Sequence, residues 1–148
     1  MSILSWLSRV TSGKDAGAVS FAPGEESFHG LNMKQAIDAH IAWKAKLADQ
    51  IGGNADKLEI GQVASDDRCA LGAWLHGPCK SLCGKLPEYA DLVREHAQFH
   101  LVAGNILMET HQGNTEKALE MLNGGNFRHA SDTVQLSLVR LYAKTREM

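Results

Sequence analysis

Two stretches of this sequence repeat apolar residues at steps of three and four, and in both the stripe is interrupted by histidine. In the first, Met33, Ile37, His40, Trp43, Leu47 and Ile51 fall on one helical face, and Gly52 and Gly53 then stop the pattern. In the second, Pro87 opens a segment in which Tyr89, Leu92, Val93, His96, His100, Ala103 and Leu107 share a face. A chain built on such stripes folds by burying helix against helix. Alternating runs rich in Val, Ile and Thr are absent, so no strand is expected.

The remaining segments fit the same plan. Ser65 or Asp66 is placed to cap a short helix, DDRCALGAWL, with Cys69 in its first turns, and His76, Gly77 and Pro78 end it. A loop with Cys79 and Cys83 follows. Asn114 or Thr115 caps a short helix through Leu122, Gly124 and Gly125 break it, and Val134, Leu138, Leu141 and Tyr142 mark a last helix. The expected fold is all-α: an up-and-down four-helix bundle with an additional short helix carrying the cysteine. The sequence has 148 residues, 44% hydrophobic, which suits one compact domain with its own core.

Ahead of the bundle, Ile3, Trp6, Leu7 and Val10 lie at helical spacing in a run too short to be stable alone. Residues 11–28 carry glycines, serines and Pro23 without periodicity and read as a linker. The division expected is therefore an N-terminal amphipathic segment and linker over 1–28, a connector or docking element, and the bundle over 29–148.

The formal net charge of −2 supplies no field to hold nucleic acid or an anionic bilayer. The Met1–Val10 stretch, with Arg9 its one charge, is too short an apolar run for a signal or spanning segment. Three cysteines, Cys69, Cys79 and Cys83, do not suit a disulfide scaffold. The expectation is a cytoplasmic protein with thiols available, neither inserted in a membrane nor bound to nucleic acid.

His96 and His100 are four apart, which on a helix sets both rings on one side, about 5 to 6 Å apart at Cβ. Alone, that pair is weak evidence of a metal. It gains weight because His40 stands where the first stripe calls for an apolar residue, and because Cys69 opens a separate helix able to face the same axis. Three imidazoles and a thiolate suit tetrahedral zinc, and four protein ligands leave no open position for a substrate water. The candidate metal ligands are thus His40, Cys69, His96 and His100, with one zinc ion and no catalytic residues.

These residues resemble the chemoreceptor zinc-binding domain of bacterial signalling proteins over residues 29–148. The resemblance is carried by His40-Ile41-Ala42-Trp43, by Cys69-Ala70-Leu71-Gly72-Ala73-Trp74, by His96-Ala97-Gln98-Phe99-His100, and by Leu86-Pro87-Glu88-Tyr89 before the last of these. It implies a helical bundle, a three-histidine, one-cysteine zinc site, a homodimer, and control of chemotaxis or cyclic-di-GMP output through a bacterial signalling partner.

Several expectations attach to single residues. Gly72, one turn after Cys69, lets a neighbouring helix approach the metal, or simply relieves packing. Trp43 and Trp74 belong to the core. A thiolate at a helix start and beside a metal has a lowered pKa, so Cys69 is the residue open to oxidants. His29, His111 and His129 are surface or capping residues.

Rival chemistries fare less well. A metalloprotease helix places glutamate directly after its first histidine, where Ala97 stands. A cysteine hydrolase would pair Cys69 with a histidine, but nothing suggests an oxyanion hole. A zinc cluster of Cys69, His76, Cys79 and Cys83 is a local alternative to the main set. A bundle with purely structural zinc acting as an interaction module, and a di-iron haemerythrin-like oxygen carrier, complete the alternatives.

Overall fold

The computed structural model describes residues 2–53 and 56–146. It begins with helix α1, Ile3–Thr11, whose N-cap Ser2 accepts the Ser5 amide at 3.1 Å. Two-residue strands, β1 at Ser27–Phe28 and β2 at Leu31–Asn32, form an antiparallel hairpin where no strand was expected. Its reason is the turn between them: His29 and Gly30 have φ of 47° and 89°, and two successive left-handed residues reverse an extended chain tightly.

Asn32 then caps helix α2, Met33–Ile51, its Oδ1 accepting the Gln35 amide at 2.9 Å. Short α3 covers Ile60–Ala64, α4 covers Ala70–His76 and α5 covers Pro78–Cys83. The long α6 runs Pro87–His111, α7 covers Thr115–Asn123 and α8 covers Asn126–Arg146.

The all-α bundle is as expected, with its weight distributed differently. Three long helices, α2, α6 and α8, form the frame. The short α7 packs on all three, and α3 also packs on α6. Neither α3 nor α5 was foreseen. The segment of Cys79 and Cys83 is helical because Pro78 sits in its first turn with φ already suited to a helix, and both thiols face inward.

Burial follows the stripes. Leu47, Leu92, Phe99, Ala103, Ile106, Leu107, Leu138 and Leu141 are fully enclosed. Residues from α1 and the hairpin join them: Ile3, Trp6, Phe28 and Leu31 are all buried, so the first 28 residues contribute to the same core. Phe28 packs tilted on Trp74 and edge-on to Tyr142, with ring centroids 5.2 and 5.3 Å away, which joins the hairpin to α4 and α8. Trp74 is a core residue as expected. Trp43 is half-buried, with the Lys46 ammonium 4.7 Å from its ring centre. No helix among the described residues is long and apolar enough to cross a membrane.

Candidate metal centre

Helix α2 contributes His40, α6 contributes His96 and His100, and the residue before α4 contributes Cys69. Their ligand atoms lie within 4.8 Å of one another. The His96 Nε2 stands 3.1 Å from Nε2 of His40 and 3.1 Å from that of His100. The Cys69 Sγ is 3.2 Å from His96, 3.6 Å from His100 and 3.9 Å from His40, each measured to Nε2. Around a tetrahedral zinc, bonds of about 2.0–2.1 Å to nitrogen and 2.3 Å to sulfur put neighbouring donors about 3.3–3.6 Å apart. The observed separations, 3.1–3.9 Å, bracket that spacing.

The outward sides of the rings explain why the Nε2 atoms converge. His40 Nδ1 lies 2.7 Å from the Ala36 carbonyl, one turn back in α2, and His100 Nδ1 lies 2.9 Å from the Val63 carbonyl in α3. A carbonyl only accepts, so in the neutral rings Nδ1 carries the hydrogen and Nε2 presents a lone pair inward. Beneath the rings, fully buried Phe99 meets His40 and His100 edge-on at 5.0 and 5.5 Å. Two bare imidazole nitrogens pressed toward a third ring and a sulfur repel unless a cation or proton stands between them. That arrangement fits a soft divalent metal.

Protons are disfavoured there. Burial, with the neighbouring His100 and His40 adding to it, drives His96 down to about 2. Burial also lowers His40 and His100, against the opposing pull of the Ala36 and Val63 carbonyls respectively. The histidines are therefore neutral, as metal ligands must be. His96 Nδ1 is buried and finds no partner among the described residues.

Cys69 is the N-cap of α4, not a residue within its first turn, and its Sγ accepts the Gly72 amide at 3.3 Å. The expected lowering of its pKa does not come from the helix end: burial pushes the thiol up, outweighing the opposing amides. Only a cation at the cluster would reverse that balance.

Of the two roles expected of Gly72, the structure supports relief of packing and not the approach of a neighbouring helix. A Cβ there would stand 1.7 Å from the Asp66 carbonyl oxygen, so it is the preceding loop, not a neighbouring helix, that crosses this position. Tyr89 fixes the far end of α4 by donating to the Leu75 carbonyl at 2.9 Å.

The local zinc cluster around Cys79 and Cys83 does not assemble. Both thiols are buried on α5, the Cys79 thiol is pushed up to about 12 by burial and by Cys83, and His76 is exposed beside Asp66 at 3.2 Å. Among the described residues the single group able to hold a metal is His40, Cys69, His96 and His100. It contains no carboxylate, which counts against a di-iron centre. His29 and His129 are exposed, and His29 uses its carbonyl to accept from Trp74 Nε1 at 2.9 Å.

The reading of side chains missed the second layer: the Val63 carbonyl and Gly104. A Cβ on Gly104 would stand 2.8 Å from the Ala64 Cβ, so this glycine lets α3 lie close enough to reach His100. Its position four residues after His100, on the same face, was the available signal.

Comparison with known proteins agrees with the resemblance. No curated protein and no solved structure is matched. Residues 40–107 match the family model described as chemoreceptor zinc-binding domain, a narrower span than the 29–148 expected, and all four donors lie inside the matched segment.

Proposed function

We propose that this chain is a cytoplasmic, non-catalytic sensory or regulatory unit that holds one zinc ion through His40, Cys69, His96 and His100 and reports zinc availability or oxidant exposure to a bacterial chemotaxis or cyclic-di-GMP system. The supporting observation is the convergence of one sulfur and three imidazole nitrogens, drawn from α2, α6 and the cap of α4, at separations that bracket those of a tetrahedral shell. Four protein donors fill that shell and leave no position for a reacting water, which favours sensing over hydrolysis. Because the donors belong to α2, α6 and the start of α4, occupancy of the site is linked to how those elements pack. Cys69 is the half-buried donor, so oxidation of its sulfur is the natural way to loosen the set. Output passes through a homodimer or a signalling partner.

Metal content per chain, measured on protein purified without added metal, tests the reading. The expected result is one zinc in the parent and a large loss in Cys69→Ala and His100→Ala. Full zinc in both variants would remove the assignment. Circular dichroism before and after chelation separates sensing from the purely structural alternative, which the burial of three donors in the core favours: a sensor keeps its helices when the metal leaves, whereas a structural site unfolds.

A further inference from the structure

A cavity of about 500 Å³ lies beside the donor cluster, between the hairpin, α2 and the start of α4. Two of its lining residues are donors, His40 and Cys69; His96 and His100 do not line it. Gly30, Gln35, Ala39 and Ala70 form an exposed rim, and buried Ala36 and Trp74 wall the interior. None of the lining residues is Asp, Glu, Lys or Arg. The three histidines are 0–3% exposed, whereas Cys69 is only half-buried. The cluster therefore has one approachable side, reached through small, uncharged residues.

We infer that this cavity is a binding site for a small uncharged thiol, which enters along Ala39 and Ala70 and displaces Cys69 when the metal is exchanged. The inference rests on zinc being held by the four donors. In the exchange, the incoming sulfur bonds to the ion as the bond to Cys69 Sγ breaks, and the thiol proton passes to the Cys69 thiolate. Charge and ligand number are conserved, and Cys69 is left as a free thiol. His96 and His100 stay in place because the cavity does not reach them, and His40, though it lines the cavity, is buried and held through Nδ1 by the Ala36 carbonyl at 2.7 Å. Alanine at both rim positions keeps the entrance open; a longer apolar side chain at either would occupy it.

Zinc release from the loaded full-length chain to a chromogenic pyridylazo chelator, with and without mercaptoethanol, tests this. In the parent, mercaptoethanol accelerates release, and the anionic mercaptoethanesulfonate does so less. In Ala39→Leu and Ala70→Leu that acceleration is lost, while Ala90→Leu, exposed on α6 away from the cavity, retains it. The ratio of rates with and without thiol is read within each variant, so a shift in overall affinity does not decide the result. Undiminished acceleration in both rim variants overturns the route, and equal acceleration by the two thiols overturns the preference for an uncharged ligand. A second reading uses metal-free protein: iodoacetamide labels Cys69 in the parent, labelling is slowed in the rim variants, and buried Cys79 and Cys83 serve as internal controls. Labelling of Cys69 unaffected by either substitution also counts against the route. A parent chain that takes up no zinc fails the functional reading itself, and so is distinguishable from failure of the route.

Discussion

Val63 turns its carbonyl oxygen to within 2.9 Å of His100 Nδ1, so a five-residue helix outside the donor set decides which nitrogen of that ring faces the metal. The two residues are joined through backbone, not through a second side chain. Whatever moves α3 therefore moves the ligand, and the contact that sets the position of α3 is the close approach of Ala64 to Gly104.

Substituting Gly104 tests that link. Gly104→Leu drives α3 outward, because even a bare Cβ would sit 2.8 Å from the Ala64 methyl. Overpacking of this kind costs about 1–3 kcal/mol. Losing the partner of a ligating histidine lowers metal affinity by about 10–100-fold. Competition titration with a zinc chelator, together with urea unfolding of the metal-free form, reads both effects. A loss of stability with unchanged affinity would show that the Val63 carbonyl does not orient His100.

Gly72→Ala is the harsher glycine change, since its Cβ would meet backbone: the Asp66 carbonyl oxygen at 1.7 Å. Loop 65–68 must shift, and with it the Cys69 cap of α4. The expected cost is about 3 kcal/mol, at the upper end of the overpacking range, with zinc lost as well. A folded Gly72→Ala protein with parental zinc content would refute the account of that close approach.

How much of this was legible beforehand follows from the physics of each element. The stripes of α2 and α6 were readable because burial imposes a period on side chains, and His40, His96 and His100 stood out as polar residues on apolar faces. Cys69 was readable as a donor but not as the cap itself, since the boundary of a short helix depends on which amide its sulfur meets. Five-residue α3 has no capping side chain and too few residues to show a period, so nothing in Ile60–Ala64 marked it. The hairpin was missed because two residues cannot show alternation and because its turn opens at φ 47° with His29, where glycine would have been the sequence signal. Backbone partners such as the Val63 carbonyl carry no side-chain signature at all.

The buried histidines predict an acid-sensitive metal-free protein. Burial lowers all three, His96 to about 2, so each is neutral in the folded chain and protonates near pH 6.5 once unfolded. Below pH 6.5 the unfolded state binds more protons than the folded one, so stability falls as the pH falls, and continues to fall until the folded values are reached. Each such histidine contributes a slope of up to about 1.4 kcal/mol per pH unit. Urea midpoints measured between pH 7.5 and 5 should drop steadily, and His96→Leu should flatten the slope by one histidine's share. Midpoints independent of pH over that range would mean that the rings are protonated within the fold.

The N-terminal helix yields the last prediction. Trp6 is 5% exposed and donates Nε1 to the Gly17 carbonyl at 3.1 Å, while Ile3 is fully buried. Glu25 secures the start of α1, its Oε1 accepting the Ile3 amide at 2.9 Å and the Ala22 amide at 2.7 Å. α1 packs on α8, away from the four donors. Trp6→Ala should therefore cost about 3–5 kcal/mol of stability, as a large core truncation does, without altering zinc stoichiometry. Deleting residues 2–28 removes Phe28 as well, and with it the packing that ties the hairpin to Trp74 and Tyr142. That deletion should destabilise the protein further and weaken zinc binding through α4. Unfolding curves with bound zinc quantified alongside would check both, and a Trp6→Ala chain as stable as the parent would mean that α1 is an appendage after all.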